Sequence, residues 1–375
     1  MGGISPAGAP SVHMLFSASC PWYTLLHHRT AATAIGDSLM PVMCLRVSLV
    51  LAILTAALVL PTFAVERIIF DTDIGGDIDD AGALAVLHAL ADRGEIELLA
   101  IGIVNGHENA VPYTDAINTW YGRPALPIGT IKQGEPFRRD TYMATVVRTC
   151  PHDLTKAAAP DVVPLYRRLL AAQPDRSVTL VAVGPATNVS RLLDSGPDEA
   201  SPWNGVELVR RKVRFYAAGG NANGGLPAGK CGFNYQMDQR SASNELAKLP
   251  GDWPTIFAGG SGSKLKIGSC YRDAPANHLI RNSYEAYFRG KPDLDRPTWD
   301  QLRVLYAARP ASRNLFETSA PGEILLDKDG LLTWTAQPDR NRAFAYVKDV
   351  ARVRSELTAL MMHGPETDGR AASQP

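Results

Sequence analysis

Five carboxylates fall within ten residues of this chain: Asp71, Asp73, Asp77, Asp79 and Asp80. Acidic residues are 38 of 375, so a window of ten is expected to hold one. Ionised carboxylates this close repel one another and must be neutralised by helix dipoles, by hydrogen bonds or by a cation. An all-oxygen donor set suits Ca²⁺ or Mg²⁺ rather than zinc or copper. The plainer account is a solvated acidic turn with aspartates as helix caps, but caps use one or two aspartates, not five behind an apolar strand. An EF-hand is excluded, because the twelfth loop position counted from Asp71 is Gly82 and not glutamate, and a strand precedes the loop.

The elements that must position these groups are legible on either side. Ile68-Ile69-Phe70 is a short apolar run, Gly75-Gly76 permits a sharp turn, and Ala81–Leu90 is an apolar helix with acids at its N-terminus. Further on, Glu97–Val104, Val111–Tyr121 and Pro127-Ile128-Gly129 alternate strand, helix, strand, which implies a parallel sheet. Thr130–Pro160 reads as a long loop with a helix or two, and Asp161–Ala172 as an amphipathic helix. Val178–Val183 is a strand that turns at Gly184-Pro185 into a helix near Thr187-Asn188. Lys212–Ala218 and Trp253–Ala258 are further strands, and His278–Phe288 and Thr298–Ala308 are helices. A hairpin turns at Asp327–Gly330, a strand covers Phe344–Val347 and a helix covers Val350–Met361. The predicted class is α/β, an open, mostly parallel sheet flanked by helices with a Rossmann-like core. In such sheets ligands bind beyond the carboxyl ends of the strands, where these aspartates fall. The run Gly259-Gly260-Ser261-Gly262-Ser263 could cradle an anion, but it lacks the lysine of a nucleotide-binding loop.

Asp71-Thr72-Asp73-Ile74-Gly75-Gly76-Asp77-Ile78-Asp79-Asp80-Ala81 resembles the N-terminal signature of the inosine–uridine-preferring nucleoside hydrolases. That signature is a strand ending in Asp-x-Asp, a glycine turn, then Asp-Asp and a helix. Phosphatases of the haloacid dehalogenase type share the strand and Asp-x-Asp, but not the added Asp-Asp-Ala. The resemblance implies calcium, with Asp73 as ligand and general base, Asp80 and Asp300 as ligands, and the Val183 carbonyl as a further ligand. It implies ribose contacts from Asp79, from Asn221 after Gly219-Gly220, and from Asn234 in Gly232-Phe233-Asn234, with Asp71 supporting the loop from behind. This sequence departs from the family at three places. Gly232 stands where the family has a glutamate, Trp299 stands for the histidine that commonly protonates the leaving base, and His107 stands for an asparagine after the second strand. His107 would act as acid or sugar contact near neutral pH. Trp299 would stack on the base. For both asparagines ordinary turn chemistry is the competing account, and for Asp300 it is a helix N-terminal carboxylate.

Composition bounds the rest. The chain is 45% hydrophobic and 20% charged, enough for a substantial core, and its net charge of zero without a basic block argues against nucleic-acid binding. Residues 1–64 read as a spurious N-terminal extension plus a signal peptide, with translation starting at Met40 or Met43. Arg46, the apolar run Val47–Leu60 and Pro61-Thr62-Phe63-Ala64 place cleavage after Ala64 and predict export to the periplasm or the medium. An uncleaved anchor is the alternative, but the run is short for a membrane span, so no stable anchoring is expected. Residues 65–362 form one catalytic domain, and 363–375 a disordered tail. Cys150, Cys231 and Cys270 allow at most one disulfide, and no spacing resembles a zinc site. Relatives are commonly dimers or tetramers, so a homo-oligomer is expected.

The expected activity is calcium-dependent hydrolysis of the N-glycosidic bond of ribonucleosides, giving free base and ribose. Such cleavage passes through an oxocarbenium-like transition state and needs a deprotonated water beneath the anomeric carbon. A nucleoside-binding protein that kept the metal pocket but lost catalysis is the alternative favoured by Gly232 and Trp299. A phosphatase of the Asp-x-Asp type would instead form an aspartyl-phosphate and need Mg²⁺.

Overall fold

The structure, a computed structural model, describes residues 65–291 and 294–365. The expectations for residues 1–64 and for the tail beyond 365 lie outside the described residues. His363, placed in the tail by sequence, docks onto the domain: its Nε2 lies 2.7 Å from Asp92 Oδ2 and its carbonyl accepts from the Tyr121 hydroxyl at 3.0 Å.

The chain begins with strand β1 (Glu66–Thr72), helix α1 (Asp79–Asp92), β2 (Ile96–Ile103), α2 (Ala110–Trp120) and β3 (Ile128–Thr130). Next come α3 (Met143–Thr149), α4 (Val162–Ala172), β4 (Val178–Ala182), α5 (Thr187–Asp194), α6 (Gly205–Lys212) and β5 (Val213–Ala217). Then follow β6 (Gly229–Lys230), α7 (Phe233–Met237), α8 (Gln239–Lys248), β7 (Thr255–Phe257), β8 (Lys266–Ile267) and α9 (Leu279–Tyr287). The last elements are β9 (Arg296–Pro297), α10 (Trp299–Ala308), β10 (Phe316–Thr318), β11 (Gly322–Leu326), β12 (Leu331–Ala336), β13 (Arg342–Val347) and α11 (Val350–Met361).

The main sheet has eight strands in the order β10-β13-β7-β5-β4-β1-β2-β3, parallel except for the edge pair β10–β13. Ile68, Ile69 and Phe70 run apolar without alternation in β1 because the strand is covered on both faces, as parallel strands are. It lies between β2 and β4, with Asp71 level with Gly102 on one side and Ala182 on the other. Strand order reverses at β1, so its carboxyl end opens on the crevice where open α/β sheets take ligands.

Two apolar layers sandwich this sheet. One gathers α1, α10 and α11 through Leu84, Leu87, Leu305 and Leu357. The other gathers α4, α5, α6 and α8 through Tyr166, Leu170, Leu192, Leu208 and Leu246. Every residue of α1 from Asp79 to Leu90 is buried, which explains its lack of a polar face. Each such leucine contributes about 1.5–3 kcal/mol.

Two features were not drawn from the sequence. Helix α6 carries a complete capping box, Asn204 accepting from the Glu207 N–H and Glu207 from the Asn204 N–H. A three-stranded antiparallel sheet, β11-β12-β6, ties the hairpin to the chain just before α7. Cys150, Cys231 and Cys270 are all free thiols. Among the described residues no helix is long and apolar enough to cross a membrane.

Candidate active site

The glycine turn after β1 is held from three sides. Gly75 has a φ of +112°, a conformation open to glycine and strained for other residues. Its N–H donates to the Tyr142 hydroxyl at 3.0 Å, and its carbonyl accepts from the Thr141 N–H at 3.0 Å. Asn105, fully buried beyond the end of β2, donates to the carbonyls of Ile74 (2.8 Å) and Arg139 (2.7 Å). Its oxygen accepts from the N–H groups of His107 (3.0 Å) and Arg139 (3.1 Å).

This pins the turn so that Asp79 and Asp80, in the first turn of α1, point toward Asp300, in the first turn of α10. One carboxylate oxygen from each of the three lies within 4.8 Å of the others, and all three are buried. Two packed helices thus bring their positive N-termini and their acids to one point. Thr72 donates its hydroxyl to Asp80. Burial raises the Asp300 carboxyl well above the usual range, and the charges of Asp79 and Asp80 raise it further. Burial does the same to Asp79, with Asp77 and Asp80 adding to it, while Arg296 works against it.

Asp73 stands beside this group and not within the three-way cluster. Its carboxyl is raised well above normal, first by burial and then by the charges of Asp80 and Asp79. Asp77 is drawn away from the crowd by Arg296, whose Nε donates to Oδ1 at 2.7 Å while a second guanidinium nitrogen holds Oδ2. Asp71 faces the opposite layer, where its Oδ2 accepts from the Tyr166 hydroxyl (2.6 Å) and the Asn188 amide (2.9 Å). Burial pushes its carboxyl up to about 7.

Above the acids opens a cleft of about 540 Å³, in the range of small-molecule sites. Asp73, Asp79, Asp80, Asp300 and the Val183 backbone form its floor, with Asn221 and Asn234 alongside. The Asn234 amide donates to the carbonyls of Val183 and Gly219 (3.1 Å to the latter), joining the ends of β4 and β5. A carbonyl has two lone pairs, so Val183 has one left for a further partner. At Gly232 the backbone N–H donates to the Asn221 carbonyl at 2.5 Å. A Cβ there would lie 2.7 Å from Asn221 Oδ1, so this packing closes the position to a glutamate.

Trp299 lines the cleft, with the Arg296 guanidinium 5.4 Å from its ring and 5.8 Å from that of Tyr287. His107 does not line it. Its ring is turned to the start of α2, where Nδ1 accepts the Asn109 N–H at 3.1 Å, so the catalytic role expected of it has no geometric support. The sequence also gave no hint of Arg296, Arg303 or Arg139 as cleft residues. Their pairing with Asp77, burial beside Asp300 and placement at the rim come from long-range packing, and only the charged run Arg289–Pro297 was a local signal.

Three buried carboxylates, with Asp79 and Asp80 both raising the pKa of Asp300 and all offering oxygen, fit a hard divalent cation. The sequence profile of the inosine-uridine preferring nucleoside hydrolases matches residues 68–259, from β1 through β7. The chain belongs to this family. Solved structures agree on the fold. A plant nucleoside hydrolase is 18% identical with a TM-score of 0.56, the match covering 80% of this chain and 99% of that one. The purine-preferring ribonucleoside hydrolase from Gardnerella vaginalis is 15% identical with a TM-score of 0.57, covering 79% and 98%. The type III effector protein XopQ, solved with adenosine diphosphate ribose, is 14% identical with a TM-score of 0.56, covering 80% and 94%. Among curated proteins no relative is found. This family member is therefore an enzyme of the nucleoside N-ribohydrolase class. Of the acids legible in the sequence, Asp73, Asp77, Asp79, Asp80 and Asp300 line its cleft and Asp71 does not.

Proposed function

We propose that the protein is an exported, calcium-dependent hydrolase of ribonucleosides that releases the free base and ribose. The observation that carries this is the convergence of Asp80 with Asp300, from helices far apart in the chain, with Asp79 within 4.8 Å of both and Asp73 beside them in the same cleft. Asp80, Asp300, Asp73 and the Val183 carbonyl would hold the ion. When bound, calcium supplies an oriented water of lowered pKa. Asp73, at the edge of the cluster and crowded by Asp80 and Asp79, is the general base that takes the proton of the attacking water. Asp79, Asn221 and Asn234 hold the ribose hydroxyls, and Asp71 holds the loop from beneath. As the C–N bond breaks, positive charge gathers on the sugar over this acidic floor and is stabilised there.

The base leaves toward Trp299, Tyr287 and Arg296. Stacking on an aromatic face with a guanidinium behind it favours departure without a histidine acid. XopQ's ligand, a ribosyl compound, agrees with a cleft of this kind. Export rests on the basic residue, apolar run and small residues before Val65.

The test is release of reducing sugar from a panel that includes inosine and uridine, with calcium, with chelator, and with calcium restored. Calcium-dependent release from at least one nucleoside is expected. Binding of nucleosides with no release from any would replace this reading with that of a binding protein. Cleavage of the protein at Ala64 on expression with its N-terminus tests export, and an intact N-terminus would refute it.

A further inference from the structure

Arg303, one turn after Asp300 in α10, is 2% exposed, yet it lines the cleft. Among the described residues neither its Nε nor its Nη1 has a hydrogen-bond partner. The carboxylate beside it, Asp300, lies 3.7 Å from Nη1, too far to hydrogen-bond. An arginine serving only as a counterion would be expected to grip its carboxylate through two short parallel bonds. Buried donors of a charged group left without acceptors are costly to keep. Arg303 is thus poised for an acceptor that the protein does not supply.

Its surroundings say what kind. The guanidinium packs under the Gly259 turn, where a Cβ would lie 3.3 Å from Nη2, and Gly260 and Ser263 of the same glycine-rich run face the cleft. At the rim, Arg139 lies over the Phe233 ring at 5.5 Å and pairs with no carboxylate among the described residues, while its neighbour Arg138 is bound to Glu108. Arg303 lies beside Asp300, on the acidic floor that the reading above gives to the sugar, and against the Gly259 turn.

We infer that the cleft has an anion subsite, built on Arg303, that takes a phosphate on the ribose of the substrate. This rests on the ribosyl-hydrolase reading above. With the base on C1′ and the 2′- and 3′-hydroxyls on the acidic floor, the carbon left to carry the phosphate is C5′, and a guanidinium fork is matched to a phosphate. The substrate class is then nucleoside 5′-monophosphates. Water adds its oxygen to C1′, the C1′–N bond breaks with its electron pair going to the base, the proton lost by the water ends on that base, and the products are free base and ribose 5-phosphate.

The test is titration calorimetry of the calcium-loaded protein with ribose 5-phosphate, ribose and inorganic phosphate. Ribose 5-phosphate is expected to bind at least about tenfold tighter than ribose. In Arg303→Gln that ratio should fall toward one, and Arg303→Lys should restore part of it, keeping the charge but not the fork. Equal affinity for ribose and ribose 5-phosphate overturns the proposal, as does inorganic phosphate binding as tightly as the ester. If the Arg303 variants do not fold, the three ligands on the native chain decide. Base release from inosine and from inosine 5′-monophosphate separates the two readings. Release from inosine with no preference for the sugar phosphate keeps the hydrolase and removes the subsite. Tight ribose 5-phosphate binding with no release from either does the reverse.

Discussion

Buried acids occupy both faces of the sheet, and their partners differ. In the layer behind, Asp71 accepts from Tyr166 and Asn188, and Glu245 accepts from the hydroxyls of Tyr216 (3.0 Å) and Tyr235 (3.3 Å). Burial pushes Glu245 up to about 8. Neutral donors pull these two carboxyls back toward the ionised form, and burial outweighs them and keeps both raised. In the cleft, Asp73, Asp79, Asp80 and Asp300 face one another and find few donors, chiefly Thr72 on Asp80. Burial raises both sets. Only the second is left needing a cation, and only the second opens on a cavity. A perturbed carboxyl thus marks a site when its neighbours are other acids, and marks ordinary core polarity when they are hydroxyls.

The comparison breaks most decisively at the cluster. Asp80→Asn and Asp300→Asn should each lower kcat/KM by about a thousandfold or more, and chelation should do the same reversibly. A drop of less than tenfold would put these acids with the structural ones. Calcium should raise the Tm of the native protein, by the equivalent of about 2.7 kcal/mol at a hundred times its Kd, and should not raise that of Asp80→Asn. Differential scanning calorimetry with and without the ion reads this.

Behind the sheet the expected signature is pH. The folded pKa of Glu245 lies above the ordinary carboxyl value of 4.5, so folding takes up a proton. Its contribution is full below about pH 4.5 and is lost as pH rises toward 8, at up to about 1.4 kcal/mol per pH unit. Glu245→Gln should therefore bring the urea midpoints at pH 5 and pH 8 closer together than in the native protein, both measured with calcium present. An unchanged gap would show that Glu245 is not held neutral.

Asn234→Ala removes the donor to the Val183 and Gly219 carbonyls. It should raise KM for a nucleoside by about tenfold, with a stability loss of about 1–3 kcal/mol. The smallest effect belongs to Tyr166→Phe, a loss of about 1 kcal/mol by denaturant titration with kcat/KM nearly unchanged. A large activity loss there would mean that Asp71 belongs to the site after all.

The sequence by itself determined the strand, glycine turn and helix around Asp71–Asp80, the parallel sheet and the class of chemistry. These are written in short-range terms: an apolar run buried on both faces, a glycine where φ must be positive, acids at a helix start. The motif around Asp300 was legible for the same reason. Tertiary structure alone decided which groups meet. It turned His107 away to the start of α2, packed Gly232 against Asn221, gave Asp77 to Arg296, and buried Arg303 beside Asp300 with two of its donors unpartnered among the described residues. The Asp77–Arg296 pair joins segments far apart in the chain, and no local pattern fixes where a long side chain from a distant segment will end.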